Sequence, residues 1–284
     1  MKRTIKSISG PSTIDGVVPG VRGQSAFPNR ELKSMNPFVM LDHIGEQHVG
    51  ADYFVDGSDS AHPHRGFETV TFLFEGIMDH KDSLGNQVRL RSGDVQRMNA
   101  GSGIQHGGDF RSDPHSQLFH EVQLWVNLPA KEKMSIPGIF NAKVHDIPVY
   151  DLEHGKIRVI GGAFEGLEGP IRTIQPTRLL HAISKQNQKM TISEIASDHN
   201  MLIYVLKGNI RIEDQEISQH QAISLNNEGD HLDLELLDKS QVLIVSGKPI
   251  DEPVVMGGPF VMNTAQEIDQ AFEDFQAGKF GAVK

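Results

Sequence analysis

The chain has 284 residues, of which 38% are hydrophobic and 23% are charged. This composition is typical of globular proteins and excludes a disordered or fibrous chain, while the length predicts one large domain or two medium ones. Lys and Arg number 27 against 37 Asp and Glu, giving a formal charge of −10, and so acidic a surface argues against direct nucleic-acid binding because it repels phosphates.

Most of the chain predicts short β-strands. Runs of Val, Ile, Phe and Leu are separated by Gly, Pro, Asn and Asp, a pattern typical of strands joined by tight turns. The clearest runs are residues 69–74, 87–91, 123–126, 202–206 and 242–246. The polar segments 83–86 and 213–215 lie between alternating runs and predict hairpin loops.

One helix is predicted at the C-terminal end of the chain. Thr264 can cap it, and Glu267, three residues later, completes a capping box. An apolar stripe at helical spacing follows up to Gly278 and consists of Ile268, Ala271, Phe272 and Phe275. We therefore predict an all-β protein with one C-terminal helix.

Two segments of the sequence resemble each other. Residues 71–101 and residues 202–229 each contain an apolar strand that ends in a charged residue and Gly, then a hairpin, another strand and a second turn. The repeat predicts two similar β-sandwiches or barrels that join near residues 137–148. The alternative is that ordinary hairpin patterns produce the similarity by chance.

Cysteine is absent, whereas histidine occurs 14 times. The chain therefore lacks disulfides and thiolate nucleophiles, and its histidines direct attention to metal chemistry. Residues 1–13 carry basic side chains without an apolar core, and charges interrupt every apolar run. We expect no secretory signal, no membrane contact and a cytoplasmic protein.

The most specific feature is a His-Pro-His segment. His62 and His64 are two residues apart, so on a strand both imidazoles project from one face. Glu68 shares their parity if the strand is regular. His106 follows a Gly-rich turn that can bring a second strand alongside, and three imidazoles suit Fe(II), Zn, Ni or Cu(II). For an isolated His-x-His pair, two solvent-facing polar residues would be the simpler interpretation.

The spacing of these residues resembles the two cupin motifs, and within the cupins it is similar to the pirin family. The segments that carry this resemblance are residues 36–38 with 41–42, HPHRGFETV at 62–70, AGSGIQH at 100–106, QLWVNLP at 123–129 and GPFVMNT at 258–264. They follow the order of the family through most of the chain.

The resemblance implies a bicupin, two antiparallel β-barrels (double-stranded β-helices) with one metal ion in the first. It implies a metal-binding N-terminal cupin domain at 1–140 and a C-terminal cupin domain without ligands at 141–284. Carried over by position, His62, His64 and His106 are metal ligands. The implied cofactor is one divalent transition metal, with iron favoured over nickel, zinc, copper or manganese.

The sequence departs from the family at the fourth ligand. The family has Glu two residues after the third His, where this chain has Gly108. The absence leaves a bound ion more Lewis acidic and removes a base beside it. The candidates to replace the base are Glu68, Asp109, His115 and His120. Alternatively, a water fills the position, Glu68 orients a ligand imidazole, and Asp109, His115 and Glu121 are solvated.

The remaining candidates have simpler interpretations. Phe67 and Trp125 could line a pocket for a planar substrate, but single aromatic residues on strands are more often core. Arg65 could pair with an anionic ligand or form a local salt bridge. Eight other histidines, including His43 and His80, show no ligand spacing and are predicted to be surface or capping residues. In the second copy, Leu234 occupies the position of His106.

The resemblance implies two functions. One is a quercetin 2,3-dioxygenase, an oxidoreductase that binds a flavonol at the open metal positions for reaction with O2. The other is a regulatory protein that contacts protein partners such as transcription factors or metabolic enzymes and whose metal is structural or redox-sensing. The missing carboxylate favours the second somewhat. A third possibility is that three imidazoles without a carboxylate bind metal too weakly for occupancy.

Overall fold

A computed structural model describes residues 1–15, 17–57 and 60–283. The strands of the first half are β1 (Ile5–Ser9), β2 (Ser12–Ile14), β3 (Gly23–Phe27), β4 (Phe38–His48), β5 (Phe54–Val55), β6 (His62–His64), β7 (Phe67–Glu75), β8 (Ile77–Asp82), β9 (Gln87–Arg91), β10 (Val95–Asn99), β11 (Ile104–Arg111), β12 (Leu118–Asn127) and β13 (Gly138–Ala142). Short 3-10 helices cover Ala130–Glu132 and Val144–Asp146.

The second half has the same character and ends in a helix. Its elements are β14 (Val149–Leu152), β15 (Gly155–Phe164), β16 (Leu167–Pro170), β17 (Thr177–Ser184), β18 (Gln188–Ile192), β19 (Asn200–Lys207), β20 (Asn209–Ile212), β21 (Gln215–Ser218), β22 (Ala222–Leu225), β23 (Leu232–Leu236), β24 (Gln241–Gly247), β25 (Val255–Gly257), β26 (Phe260–Met262) and α1 (Ala265–Gln276). The prediction of an all-β protein with a C-terminal helix is confirmed.

The chain forms two compact units. The histidine unit comprises Thr13–Gly23, Leu41–Val144 and Ile250–Lys284, and the second unit comprises Met1–Ser12, Gln24–Met40 and His145–Pro249. Each terminal segment therefore belongs with the distant half of the chain, because β1 pairs with β22 and the C-terminal residues pack in the histidine unit. These units differ from the continuous ranges 1–140 and 141–284, whose functional assignment stays a prediction.

Two sheets build the histidine unit. One contains the consecutive strands β13-β10-β7-β12-β4, and the other has the order β5-β11-β8-β9 with β6 paired to β11. The first seven residues of β7 are buried without interruption, as expected for a central strand that is covered on both faces. One apolar cluster of this unit contains Ile44, Leu73, Leu90 and Phe119.

The second unit repeats this topology. Its larger sheet has the order β1-β22-β19-β24-β17-β15-β14, with β16 on β15, and its smaller sheet has the order β18-β23-β20-β21. β19 lies between β22 and β24 as β7 lies between β10 and β12. β20 pairs with β21 and β23 as β8 pairs with β9 and β11. The matching order confirms the duplication predicted from residues 71–101 and 202–229.

The C-terminal helix begins as predicted. Thr264 Oγ1 accepts a hydrogen bond from the Glu267 backbone N–H at 3.2 Å, and the Glu267 carboxylate accepts one from the Thr264 N–H at 2.9 Å, so the capping box is complete. Ile268 and Ala271 pack against Phe260 of β26. The helix is thereby fixed within the histidine unit.

Candidate metal centre

Three imidazoles meet where β6 pairs with β11. His62 and His64 are the two ends of β6, and His106 on β11 lies directly opposite His62 in the antiparallel register. One ligand nitrogen from each ring lies within 4.8 Å of the other two, and the ring centroids are 4.5 to 5.0 Å apart. The predicted convergence of the three side chains is present in the structure.

Backbone carbonyls orient two of these rings. The Nδ1 atom of His62 lies 2.8 Å from the Ser60 carbonyl oxygen, and that of His64 lies 3.2 Å from the Pro259 carbonyl oxygen. Because a carbonyl can only accept, Nδ1 carries the proton in both rings and Nε2 keeps its lone pair. This arrangement is typical of metal-ligating histidines, in which a hydrogen bond at one nitrogen aims the other.

Burial keeps the imidazoles of His64 and His106 neutral. Burial lowers the pKa of His64 to about 3, with a smaller contribution from the neighbouring His62. Burial likewise holds the pKa of His106 well below its ordinary value. The Nε2 atoms of His64 and His106 are buried and have no hydrogen-bond partner in the described structure. A buried imidazole nitrogen without a hydrogen-bond partner can donate its lone pair to a cation, so these residues suit a divalent metal ion.

The segment after His64 is held by the C-terminal part of the chain. Arg65 Nη1 forms a buried ion pair with Asp274 Oδ2 of α1 at 2.8 Å, so Arg65 does form a salt bridge, but its partner is 209 residues away and is not local. Gly66 has a φ of +86°, and a Cβ there would overlap the Val261 carbonyl oxygen. Only glycine satisfies both requirements.

Glu68 does not continue the strand of the two histidines. The turn at Arg65 and Gly66 ends β6, and Glu68 lies on β7, opposite Asn99 of β10. The condition for shared parity, one regular strand through residues 62–68, is not met because Gly66 redirects the chain into the other sheet. The fully buried Glu68 carboxylate forms an ion pair with Arg97. Its role as a base or as an orienting group stays a prediction that this ion pair does not support.

Position 108 is too closely packed to carry any side chain. Gly108 lies on β11 opposite His80 of β8, and a Cβ there would overlap the Asp79 carbonyl oxygen. A Cβ built at Gly57 would likewise overlap the Gly108 carbonyl oxygen. The close packing of β11 against β8 therefore excludes a carboxylate at position 108. The departure from the family involves this backbone packing as well as the identity of one side chain.

The other residues considered as a replacement base have different surroundings. Asp109 accepts a hydrogen bond from the Gly57 N–H at 3.0 Å, and His115 is exposed. His120 is buried against His43, with 2.8 Å between their Nε2 atoms. Among the described residues that line the cavity beside the three imidazoles, none of these three occurs.

This cavity has a volume of about 490 Å³, within the range of small-molecule sites. It is lined from the β11 side by His62, His80, His106, Gly107, Gly108, Met78 and Phe110, from the facing sheet by Thr71, Gln96, Glu121 and Gln123, and at its edge by Val17, Val18, Pro19, Val55, Asp56 and Ser60. The side chains contributed by the facing sheet are thus all polar. Phe67 and Trp125 do not belong to this lining. Their rings instead pack against the His64 ring, with distances between ring centroids of 5.1 and 5.2 Å.

Two cavity residues were misjudged from sequence. His80 is 2% exposed, and Glu121 is 4% exposed, so the expectations of a surface histidine and a solvated glutamate are wrong. The alternation of Glu121 and Gln123 with apolar neighbours on β12 was the available signal. It could not show whether the polar face meets solvent or an internal cavity.

In the second unit, Leu234 lies on β23, the strand that corresponds to β11, and is buried. Within the described ranges, His62, His64 and His106 form the one detected cluster of three or more potential metal ligands. No helix in those ranges has the length and apolar character to cross a bilayer.

Comparison with known proteins places these features in context. The family model described as Pirin matches residues 20–126, and the model of the pirin C-terminal cupin domain matches residues 180–281. A pirin-like protein of Caulobacter vibrioides is 36% identical over 99% of both chains, and mouse pirin is 36% identical over 99% of this chain and 94% of its own. A crystal structure of quercetin 2,3-dioxygenase from Acinetobacter baumannii superposes with a TM-score of 0.87 at 31% identity, covering 100% of both chains.

Proposed function

Because this chain belongs to the pirin family and has its bicupin fold, we propose that it is a metal-dependent dioxygenase acting on flavonols such as quercetin. The observation that carries the proposal is the convergence of His62, His64 and His106 beside a cavity of small-molecule size. The similarity to the quercetin 2,3-dioxygenase of A. baumannii supports the choice of substrate. The metal-binding function is assigned to the N-terminal cupin domain.

His62, His64 and His106 would hold one divalent ion, which we propose to be iron, through their Nε2 atoms. When bound, such an ion supplies Lewis acidity toward a substrate oxygen and a route for electrons to O2. Nickel, zinc, copper and manganese are the alternatives, because imidazole ligands accept several of these ions. Three protein ligands leave coordination positions open for a bidentate flavonol.

The cavity suits a planar molecule that carries hydroxyl groups. Met78, Phe110 and Val18 provide apolar contact, while Thr71, Gln96 and Gln123 can exchange hydrogen bonds with ring substituents. In a dioxygenase reaction both atoms of O2 enter the flavonol, which supplies the electrons. The enolic hydroxyl proton must also leave the substrate, and this step requires a proton acceptor in the cavity.

The test is oxygen-dependent loss of quercetin. Protein loaded with iron, and separately with nickel, is mixed with quercetin under O2 and under argon, and the visible absorbance is followed. We expect the absorbance to fall only with O2 and only when the three histidines are intact, so His106→Ala serves as the matched variant. Unchanged absorbance with every metal would remove the dioxygenase proposal.

A second function is favoured by the glycine at position 108. A site without its family carboxylate can still bind metal, so we propose as the alternative a metal-dependent regulatory protein that contacts protein partners. A pull-down with wild-type protein, metal-free protein and His62→Ala tests this alternative. Metal-dependent recovery of the same partner would support it, and equal recovery in all three samples would count against a metal-gated role.

A further inference from the structure

Glu121 projects into the cavity from the sheet that faces the histidines. It lies on β12 opposite Leu73, two residues before Gln123, which lies opposite Thr71. Residues two apart on a strand share a face, and Glu121, Gln123 and Thr71 all line the cavity that His62 and His106 line from the other sheet. The strand pairing therefore positions the Glu121 carboxyl across the cavity from the metal centre.

The Glu121 carboxyl is buried, and one of its two oxygens lacks a hydrogen-bond partner. The residue is 4% exposed, and its Oε2 atom has no hydrogen-bond partner in the described structure. Burying such a group costs free energy unless a partner is supplied. Glu68, on neighbouring β7, is equally buried but has Arg97 as its partner. The contrast indicates that this buried oxygen of Glu121 is available to a ligand in the cavity.

The charged and titratable groups around the cavity leave Glu121 able to exchange a proton near neutral pH. The described lining contains Asp56, which is exposed, and the imidazoles of His62, His80 and His106. No Lys or Arg occurs among these lining residues. Burial raises the pKa of Glu121 to about 7, so its carboxylate is a stronger base than an exposed one.

We propose that Glu121 accepts the hydroxyl proton of the flavonol bound in this cavity, in place of the carboxylate that position 108 cannot carry. This inference rests on the proposed dioxygenase function and names its base. The proton moves from the enolic oxygen of the substrate to a carboxylate oxygen of Glu121. The substrate becomes an anion, Glu121 becomes neutral, and the solution gains no proton. When the product leaves, Glu121 returns the proton to the product or to water.

Proton release on flavonol binding tests the assignment without requiring turnover. Quercetin is added without O2 to metal-loaded protein at pH 8 in weak buffer that contains a pH indicator, and binding is followed by quenching of Trp125, the single tryptophan. We expect Glu121→Gln to release about one more proton per bound quercetin than wild type does. Glu121→Asp, which keeps a carboxylate, should restore part of the wild-type behaviour.

Turnover provides the second measurement. Removal of a general base lowers rates by about 10²-fold to 10⁴-fold, so we expect Glu121→Gln to consume quercetin at least about 100-fold more slowly with its metal content unchanged. Glu75→Gln is the control, because Glu75 lies on the same sheet but outside the cavity lining, and it should behave as wild type in both measurements.

The outcomes separate the two proposals. Suppose that wild type is active and that Glu121→Gln shows the same proton release and the same turnover as wild type. This result would overturn the role of Glu121 and leave the dioxygenase proposal intact. Wild type that neither binds nor consumes quercetin with any metal would overturn the dioxygenase proposal and the assignment that rests on it.

Discussion

Burial near one cavity shifts the pKa of histidines and the pKa of a glutamate in opposite directions. Burial removes hydration from charged groups, so it lowers the pKa of His64 and His106 and raises that of Glu121. The imidazoles remain neutral and keep lone pairs for a metal ion, whereas the carboxyl becomes a base that works near neutral pH. The proposed chemistry has two parts, metal binding by the imidazoles and proton acceptance by Glu121. Both therefore depend on burial in one enclosed environment.

Glu121 should destabilise the folded protein when it is ionised. The pKa rises from 4.5 in the unfolded chain to about 7 in the folded one, so the folded state binds more protons between these values and gains stability as the pH falls. One pKa unit corresponds to about 1.4 kcal/mol. We expect Glu121→Gln to be more stable than wild type by up to about 3 kcal/mol at pH 8, with the advantage vanishing near pH 4.5.

Denaturant unfolding of metal-free protein at several pH values measures this difference. Glu75→Gln provides the comparison, because the Glu75 carboxylate accepts a hydrogen bond from Ser116 at 3.0 Å, and this variant should not be more stable than wild type at pH 8. A Glu121→Gln advantage that is constant from pH 8 to pH 4.5 would contradict the assigned environment of the carboxyl.

Gly108→Glu should not restore the family ligand set. Its Cβ would overlap the Asp79 carbonyl oxygen, and overpacking of this kind costs about 1–3 kcal/mol or more. Gly138→Ala is the matched control, because a Cβ at that strand position meets no atom within 4 Å. Thermal unfolding should show a lower Tm for Gly108→Glu and for Gly108→Ala only, and a stable Gly108→Glu protein with tighter metal binding would be the contrary result.

At the scale of elements, the strand that carries two histidines is very short and depends on its anchors. β6 has three residues and is followed at once by Arg65, which pairs with Asp274 of α1. His64 also contacts the Pro259 carbonyl, which belongs to the segment before α1. The C-terminal helix should therefore stabilise the position of His62 and His64, the proposed metal ligands, although none of its residues lines the cavity.

Asp274→Ala tests this connection. The change leaves the 4% exposed Arg65 without its carboxylate, and an unpaired buried charge destabilises its surroundings. We expect a lower Tm and metal binding weakened by roughly 10-fold or more, the range seen when groups that orient ligands are removed. Asp269→Ala, on the exposed side of the same helix, should leave metal affinity unchanged, and equal affinities in the two variants would contradict the anchoring role.

Sequence patterns predicted the elements well and their surroundings less well. The run at residues 87–91 coincides with β9, and the capping box at Thr264 is present, because alternation and capping are local properties. The parity argument for Glu68 failed at Gly66, and Glu121 was misjudged. The face that a strand residue presents depends on which distant strands enclose it, and no local pattern encodes that pairing.

At the scale of the molecule, duplication has produced two units with the same strand order and one histidine cluster among the described residues. The repeat was visible in the sequence. The placement of each terminal segment in the unit formed mainly by the other half of the chain was not. β1 completes the sheet of the second unit by pairing with β22, and a five-residue strand carries no local indication of so distant a partner.

Metal removal should affect the two units unequally. A ligand that binds only the folded state stabilises the region that holds it, so chelation should accelerate amide hydrogen exchange in β6, β8 and β11. Exchange in β18 and β23 of the second unit should stay unchanged. Hydrogen-exchange mass spectrometry with and without chelator measures both, and equal acceleration in β11 and β23 would argue against a site confined to the histidine unit.

The most direct test of the account is the metal content of freshly purified protein. Elemental analysis of wild type beside His62→Ala, His64→Ala and His106→Ala, with His115→Ala as an exposed control, measures ions per chain. The convergence of the three imidazoles predicts about one divalent transition metal ion per chain in wild type and in His115→Ala, and strong depletion in the other three variants. Metal content that is absent from wild type, or that survives loss of these histidines, would contradict the account.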